Sequence, residues 1–508
     1  IIGAGLAGLS AALQAAENGC NVKLVSSLPS ERAQSVMAEG GINAALNTKD
    51  ENDSPEEHFT DTIKAACGLA DPNAVWGMTQ AAPELVHWLL KLGVKFNMSG
   101  YDDVDLRNFG GQKKKRTAFA QSDTGKQIMT AMIDAVRRKE ASGMVERFSH
   151  HSFLTLRLCG NICCGCVIRD EYSQETVELP GDAVIVATGG MHGLFGNTTG
   201  SLSNTGEVTA ELFRLGVPLA NGEMIQYHPT TVKCGGKRML ISEAARGEGG
   251  RLFAMKDGKQ WYFMEEKYPE LGNLMPRDIT AREIWKVSHE SEVFLDMTEI
   301  SEEIISNKLS GLADDCMTYL HKDIRKEPVS VLPGIHYFMG GILVDEQHRT
   351  PIQNLYAAGE CCAQYHGANR LGGNSLLGAL YGGRVAAKSA CEQADVVDLS
   401  CATQIDFPPA SQISEIKQLN KVMQETMGVV RNENTLLNGI QTVQALTGNL
   451  PLLGMAVLKS ALARKESRGA HWREDYPKSN DDDYLKTTVA RFDGKQIQIS
   501  FVPVPERR

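Results

Sequence analysis

A chain of 508 residues, 42% hydrophobic and 22% charged, is ordinary globular material with enough length for two to four domains. Its formal net charge of −10 argues against a nucleic-acid partner. No run reaches the roughly 20 apolar residues needed to cross a bilayer. Twelve cysteines without a secretory pattern fit a reducing compartment.

The chain opens inside an apolar strand, IIGAG, so further residues are expected upstream. LAGLSAALQAAENG reads as a helix and CNVKLVSS as a second strand. Gly3, Gly5 and Gly8 therefore sit in a strand–turn–helix context. Three glycines there allow a tight turn, a close approach to a pyrophosphate and helix-on-strand packing, with the helix N-terminus facing the phosphates. The acid that commonly ends the second strand and binds an NAD ribose is absent; Ser26 and Ser27 stand there, which favours FAD. Residues 57–140 are mostly helical in pattern. Residues 148–187 alternate like strands and end in DAVIVATGG, a buried strand entering a glycine turn. Residues 222–338 mix short strands, loops and charged helices, as an inserted domain would. Strand–glycine turn–helix returns over 352–390, and helices follow from 412. The last 40 residues are charged and close on the β-like KQIQISFVPV.

CGNICCGC (159–166) packs four cysteines into eight residues. Gly160-Asn161 marks a hairpin turn, and simple alternation predicts Cys164 and Cys166 on one face with Cys163 on the other. That spread predicts no metal site. The stretch QKKKR (112–116) reads as a solvated loop.

The stretches AEGGINAAL (38–46), FGGQKKKRTAFAQSDTG (109–125), QYHPT (226–230), SEAARGEGG (242–250), PRD (276–278), IHYFMGGI (335–342), AAGE (357–360), HGANRLGGNSL (366–376) and ESRGAHWREDYP (466–477) occur in this order. Together they closely resemble the flavoprotein subunits of fumarate reductase and succinate dehydrogenase. The resemblance implies an α/β fold: a Rossmann-like FAD-binding domain over 1–221 and 339–395, an inserted α+β capping domain over 222–338, and a helical C-terminal domain over 396–508. It implies FAD contacts at Gly3, Gly5, Gly8, Ser26, Gly40, Gly41, Thr188, Gly189, Glu360, Ser375 and Leu376. It places one carboxylate of a dicarboxylate on His228 and Ser242, the other on His336 and Arg370, with Phe119 packing on the substrate. Arg277 matches the proton donor, and Glu243 and Arg246 match its relay. Reducing fumarate needs cations at both carboxylates, a reduced flavin and a proton source, which this set supplies.

Three positions depart from the family pattern. Gln34 aligns with the histidine that attaches FAD in many members, so the cofactor is expected to be non-covalent, a condition that favours fumarate reduction. Ser242 stands where threonine is common, and Glu207 where aspartate is common. The resemblance also implies an iron–sulfur partner, a membrane anchor with quinone and a peripheral place on the cytoplasmic side. Aspartate oxidase, reductases of other conjugated acids and a purely electron-carrying subunit are the alternative readings.

Overall fold

The computed structural model describes residues 1–100, 103–395, 407 and 412–508. At its centre lies a parallel sheet. Val22–Ser26 runs parallel to Val145–Ser149, and Leu355–Ala357 runs parallel to Val184–Val186. Ile2 links the two pairs by bridging Val25 on one side and Val186 on the other. Val184–Val186 and Leu355–Ala357 are buried throughout, which explains their unbroken apolar sequence.

Two helices cross on this sheet, Leu6–Glu17 and Asn374–Gln393. Glycine sets how closely they approach. A Cβ on Gly383 would lie 2.3 Å from the Ala7 carbonyl oxygen, and the Ser10 hydroxyl donates to Leu380 O at 2.7 Å. Gly3 has a φ of 107°, and a Cβ there would lie 2.3 Å from Ala187 O, so the first turn admits only glycine.

The inserted region builds its own core around Leu252, Ile284, Leu295 and Leu312, and Phe109 from the N-terminal domain plugs into it. Its strand Ile225–Cys234 is flanked by Lys237–Leu240 and Leu332–Phe338 in one antiparallel sheet. The helices Ile413–Thr426, Glu433–Val443 and Asn449–Ala463 follow. The boundary at 396 lies outside the described residues. The β-like close folds back into the body: Lys486–Phe492 pairs with Leu219–Ala220 and with Ile497–Pro503.

Two sequence expectations are corrected. The hairpin His151–Cys159 and Ile162–Asp170 forms, but Cys164 is an extra residue where the register shifts between Arg157 and Leu158. That bulge resets the alternation, so Cys163 and Cys166 face the same apolar core. Among the described residues no group of His, Cys, Asp or Glu could hold a metal. QKKKR is also not wholly solvated. Arg116 is fully buried between Asp53 at 2.8 Å and Asp61 at 3.0 Å, and Gln112 is buried on Asn43. A buried guanidinium needs such partners, because an unpaired one would carry a desolvation cost of several kcal/mol.

Candidate active site

The short helix Glu243–Gly247 begins at Ser242, whose hydroxyl accepts from the Ala244 amide at 3.4 Å. The Ser242 hydroxyl hydrogen remains free to donate. Glu243 follows, fully enclosed. One oxygen takes both Nε and Nη2 of Arg277, at 2.7 and 2.5 Å, and the other takes the Gly110 amide at 2.9 Å. Arg246, one turn further along, brings Nη2 to 3.6 Å from the same carboxylate and donates Nη1 to Asn273 O. Burial alone would raise the Glu243 carboxyl; the Arg277 and Arg246 guanidiniums outweigh it and hold the group below its usual range. The acid is therefore a carboxylate bridging two arginines.

The strand Ile225–Cys234 supplies Gln226 and His228, two residues apart. Gln226 accepts from Arg277 Nη1 at 3.1 Å and donates to Asn369 Oδ1 and Arg370 O, both at 2.9 Å. The neighbouring strand brings His336 against His228, with ring centroids 5.1 Å apart, and Thr199 pairs with His336 Nδ1 at 2.8 Å. Burial and the nearby Arg277 push both imidazoles well below their ordinary pKa, so both are neutral near pH 7. Arg370 lies over the Tyr337 ring at 4.3 Å, and its Nε has no hydrogen-bond partner. Burial, reinforced by Arg277, lowers its pKa to about 9. Three guanidiniums against one carboxylate leave an excess of positive charge that a dianion would balance.

The structure thus gathers Ser242, Glu243, Arg246, Arg277, His228, His336 and Arg370. Phe119 is set differently: its ring lies beneath Arg107 at 3.6 Å, and no described contact joins it to that group. Phe109 holds the nearer position, wedged so that a Cβ on Gly40 or on Gly372 would come within 3.0 Å of its ring. Sequence reasoning quoted but did not assign Gln226. Its place two residues before His228 on a strand was the available signal, since period two puts both on one face.

The expected cofactor positions lie at glycine turns, a strand end and two helix starts. Gly5 stands at the N-cap of the helix Leu6–Glu17, where Ser35 Oγ accepts from the Leu6 amide at 3.3 Å, and a Cβ on Gly5 would meet nothing nearer than 3.7 Å. Its φ of −77° needs no glycine, so the missing side chain keeps room for something outside the chain. Gly8 packs on Gly3 O. Ser26 ends its strand with a buried Oγ that has no partner within the chain. Gly41 lies on Ala118 O, and Gly189, after half-buried Thr188, on Asn204. Glu360 accepts from the Phe338 amide at 3.1 Å and abuts Gly190. Ser375 and Leu376 form the first turn of Asn374–Gln393, a 20-residue helix whose N-terminus has no side-chain cap. An uncapped helix start, an orphaned hydroxyl and an open glycine fit a dinucleotide cofactor.

A family described as FAD binding domain matches residues 1–376, and one described as fumarate reductase flavoprotein C-terminus matches 446–507. The chain belongs to the succinate dehydrogenase and fumarate reductase flavoprotein family. It is 38% identical to the succinate dehydrogenase flavoprotein subunit of Bacillus subtilis, over 100% of this chain and 97% of the relative. It is 32% identical to the 8-methylmenaquinol:fumarate reductase flavoprotein subunit of Wolinella succinogenes, over 100% and 92%. A solved quinol fumarate reductase flavoprotein of E. coli superimposes with a TM-score of 0.90 at 27% identity, covering 99% of this chain and 96% of that one. The protein is a flavoenzyme of the α/β class, with a Rossmann-like FAD-binding domain, an inserted capping domain and a helical C-terminal domain. It acts within the succinate–fumarate chemistry of its family. No described helix is long and apolar enough to cross a membrane.

Proposed function

We propose that this flavoenzyme reduces fumarate to succinate with non-covalent FAD. The observation that supports it most is the array in which Arg277, locked on Glu243, stands among Arg370 and two neutral histidines. In this reading His336 and Arg370 hold one carboxylate, and His228 and Ser242 hold the other. Bound FAD supplies the hydride to one alkene carbon. Arg277 delivers the proton to the other carbon, and Glu243 and Arg246 return a proton to it. An arginine is a weak acid at neutral pH, so the immediate return through a bridging carboxylate is what makes it workable. Phe119 is carried in the same proposal as the aromatic that packs on the substrate, with its ring beneath Arg107.

Gln34 carries the cofactor proposal. Its Oε1 accepts from the Ser201 amide at 2.6 Å, so an amide that cannot bond a flavin methyl is spent holding a neighbouring loop. Acid precipitation should leave a colourless pellet and free flavin; flavin retained in the pellet would sink this point. We further propose an iron–sulfur partner subunit as the electron source and attachment to a quinone-linked membrane anchor through it. The domain boundaries 1–221, 222–338, 339–395 and 396–508 belong to the same proposal. The decisive assay is anaerobic oxidation of a reduced viologen by fumarate, with iminoaspartate, oxaloacetate and urocanate as competitors. Turnover with fumarate well above the others is expected, and none with fumarate would end the reading.

A further inference from the structure

Beside Glu360 stands a group that the reaction as described does not use. His192 is fully buried, and its Nε2 has no hydrogen-bond partner. That nitrogen points at Glu360 Oε1 from 3.6 Å. The ring has no freedom to turn away. It meets Phe338 edge-on with centroids 4.9 Å apart, and a Cβ on Gly200 would collide with it at 2.2 Å. Its other nitrogen, Nδ1, lies 2.9 Å from Thr198 Oγ1, which also accepts from the Gly200 amide at 3.2 Å. A hydroxyl already accepting from an amide has its own hydrogen to give. In the neutral ring the Thr198 hydroxyl therefore donates to Nδ1, and the ring hydrogen sits on Nε2, aimed at the carboxylate.

We propose that His192, with Glu360 and Thr198, is a proton-holding positioning group for the flavin, taking up one proton when the flavin takes up two electrons. In the proposed flavin site, the negative charge that reduction adds would draw a proton to a group within reach of Glu360. A solvent proton lands on His192 Nδ1, the Thr198 hydroxyl turns from donor to acceptor, and the imidazolium presents Nε2–H to the carboxylate. The electrons come from the reductant that serves the flavin, and the ring keeps its own proton separately. The other titratable and charged groups whose fields reach the pair are His336, Tyr337 and Arg370, with Cys361 and Cys362 adjoining Glu360 in sequence. His336 is neutral, and His192 is the group beside Glu360 whose second nitrogen meets a hydroxyl able to reverse its hydrogen bond. The same loop carries Thr199, which holds His336. A proton on His192 thus lies one residue from a substrate-binding contact.

The inference rests on the flavin site proposed above. Its test is a spectroelectrochemical titration of the purified holoprotein between pH 7 and 9, for wild type, His192→Gln and Thr198→Val. Each proton accompanying two electrons moves the midpoint by about 30 mV per pH unit. Wild type should take up one proton more than His192→Gln over part of this range. Thr198→Val, nearly isosteric, should shift that extra uptake to lower pH by about one unit, since the imidazolium loses its acceptor. If His192→Gln does not hold FAD, proton uptake by wild type and Thr198→Val on dithionite reduction, read with an indicator dye, decides the matter. Equal proton counts in wild type and His192→Gln, or an unmoved window in Thr198→Val, overturn the proposal while leaving the flavin site intact. Failure of wild type to bind FAD overturns both.

Discussion

Two arginine-rich clusters are buried in this chain, and they are wired differently. At the C-terminal side Arg464 donates to Glu223, Glu466, the carbonyls of Tyr484 and Lys486, and the Thr488 hydroxyl, using all five N–H groups. Arg473 is similarly engaged, on Asp475 and on the carbonyls of Ala461 and Leu462. In the candidate active site Arg246 leaves Nε and Nη2 without hydrogen bonds, and Arg370 leaves Nε so. Both clusters are buried, but the active-site one sets three guanidiniums against a single carboxylate, whereas Arg464 and Arg473 face Glu223, Glu466 and Asp475; among the described residues the second cluster keeps only Glu223 Oε2 and Arg431 Nη2 unpaired. Buried donors left open cost stability unless a ligand completes them. The open cluster joins open donors to an excess of buried positive charge, which an anionic ligand would complete, whereas the second, closed cluster is balanced by its own carboxylates and ties the last strands to the body.

The largest expected effect comes from breaking the open cluster. Arg277→Gln should lower kcat for fumarate by about 10⁴-fold, roughly 5.5 kcal/mol of barrier, by removing the proposed proton donor. Thermal stability should stay within a few degrees, because Glu243 keeps Arg246 and the Gly110 amide. A loss below tenfold would remove Arg277 from the proposed role. Breaking the closed cluster should do the reverse. Arg464→Leu leaves Glu223 without its cation and Glu466 with the Arg468 cation alone, and should cost about 3–5 kcal/mol in denaturant unfolding. Turnover per bound flavin should remain within about twofold. If turnover falls while stability holds, the contrast between the clusters is wrong.

Much of this contrast was legible in the sequence, and some was not. The glycine turn, the alternation of strand and helix and the long motifs placed Arg277, Glu243, Arg246, His228, His336 and Arg370 as one group, because each motif ties a side chain to a local backbone element. What escaped was set by contacts distant in sequence. Arg116 looked solvated because Asp53 and Asp61, which bury it, lie on another segment. The Cys163–Cys166 face was misread because a single bulge residue, Cys164, breaks period two, and the glycine that marks it, Gly165 with a φ of 140°, was passed over in favour of the turn at Gly160. Phe109 and Phe119 are ten residues apart in one segment, and only packing shows which of them reaches Gly372.

The histidines sharpen the comparison through pH. His228 and His336 in the site, and His471 in the closed cluster, all have pKa values driven well down, first by burial and then by neighbouring arginines. His58 and His348 are held at about 3 and about 4 by burial. Such groups stay neutral when folded and charge when unfolded. The unfolded chain then binds more protons, so stability is present above the ordinary histidine pKa of about 6.5 and is lost as pH falls below it. Each should contribute about 1 kcal/mol of loss between pH 6.5 and 5.5, visible in urea melts. A saturating dicarboxylate should flatten the share from His228 and His336 by favouring their charged forms, and leave that of His471. Identical pH slopes with and without the dicarboxylate would separate the site histidines from carboxylate binding.

The smallest effect concerns a single orphaned atom. Ser26 Oγ is buried with no partner in the chain, like the open nitrogens of Arg246 and Arg370. Ser26→Ala should therefore leave the flavin-free protein as stable as before, or slightly more so, since an unsatisfied hydroxyl is removed. FAD affinity should fall by about fivefold, the worth of one ordinary hydrogen bond of about 1 kcal/mol. The two readouts must part company for the argument to hold. If stability of the flavin-free protein dropped along with affinity, the hydroxyl would be serving the chain and not the cofactor. If neither moved, the open atom beside the glycine turn would be packing residue, and the link between unsatisfied donors and function would rest on the arginines alone.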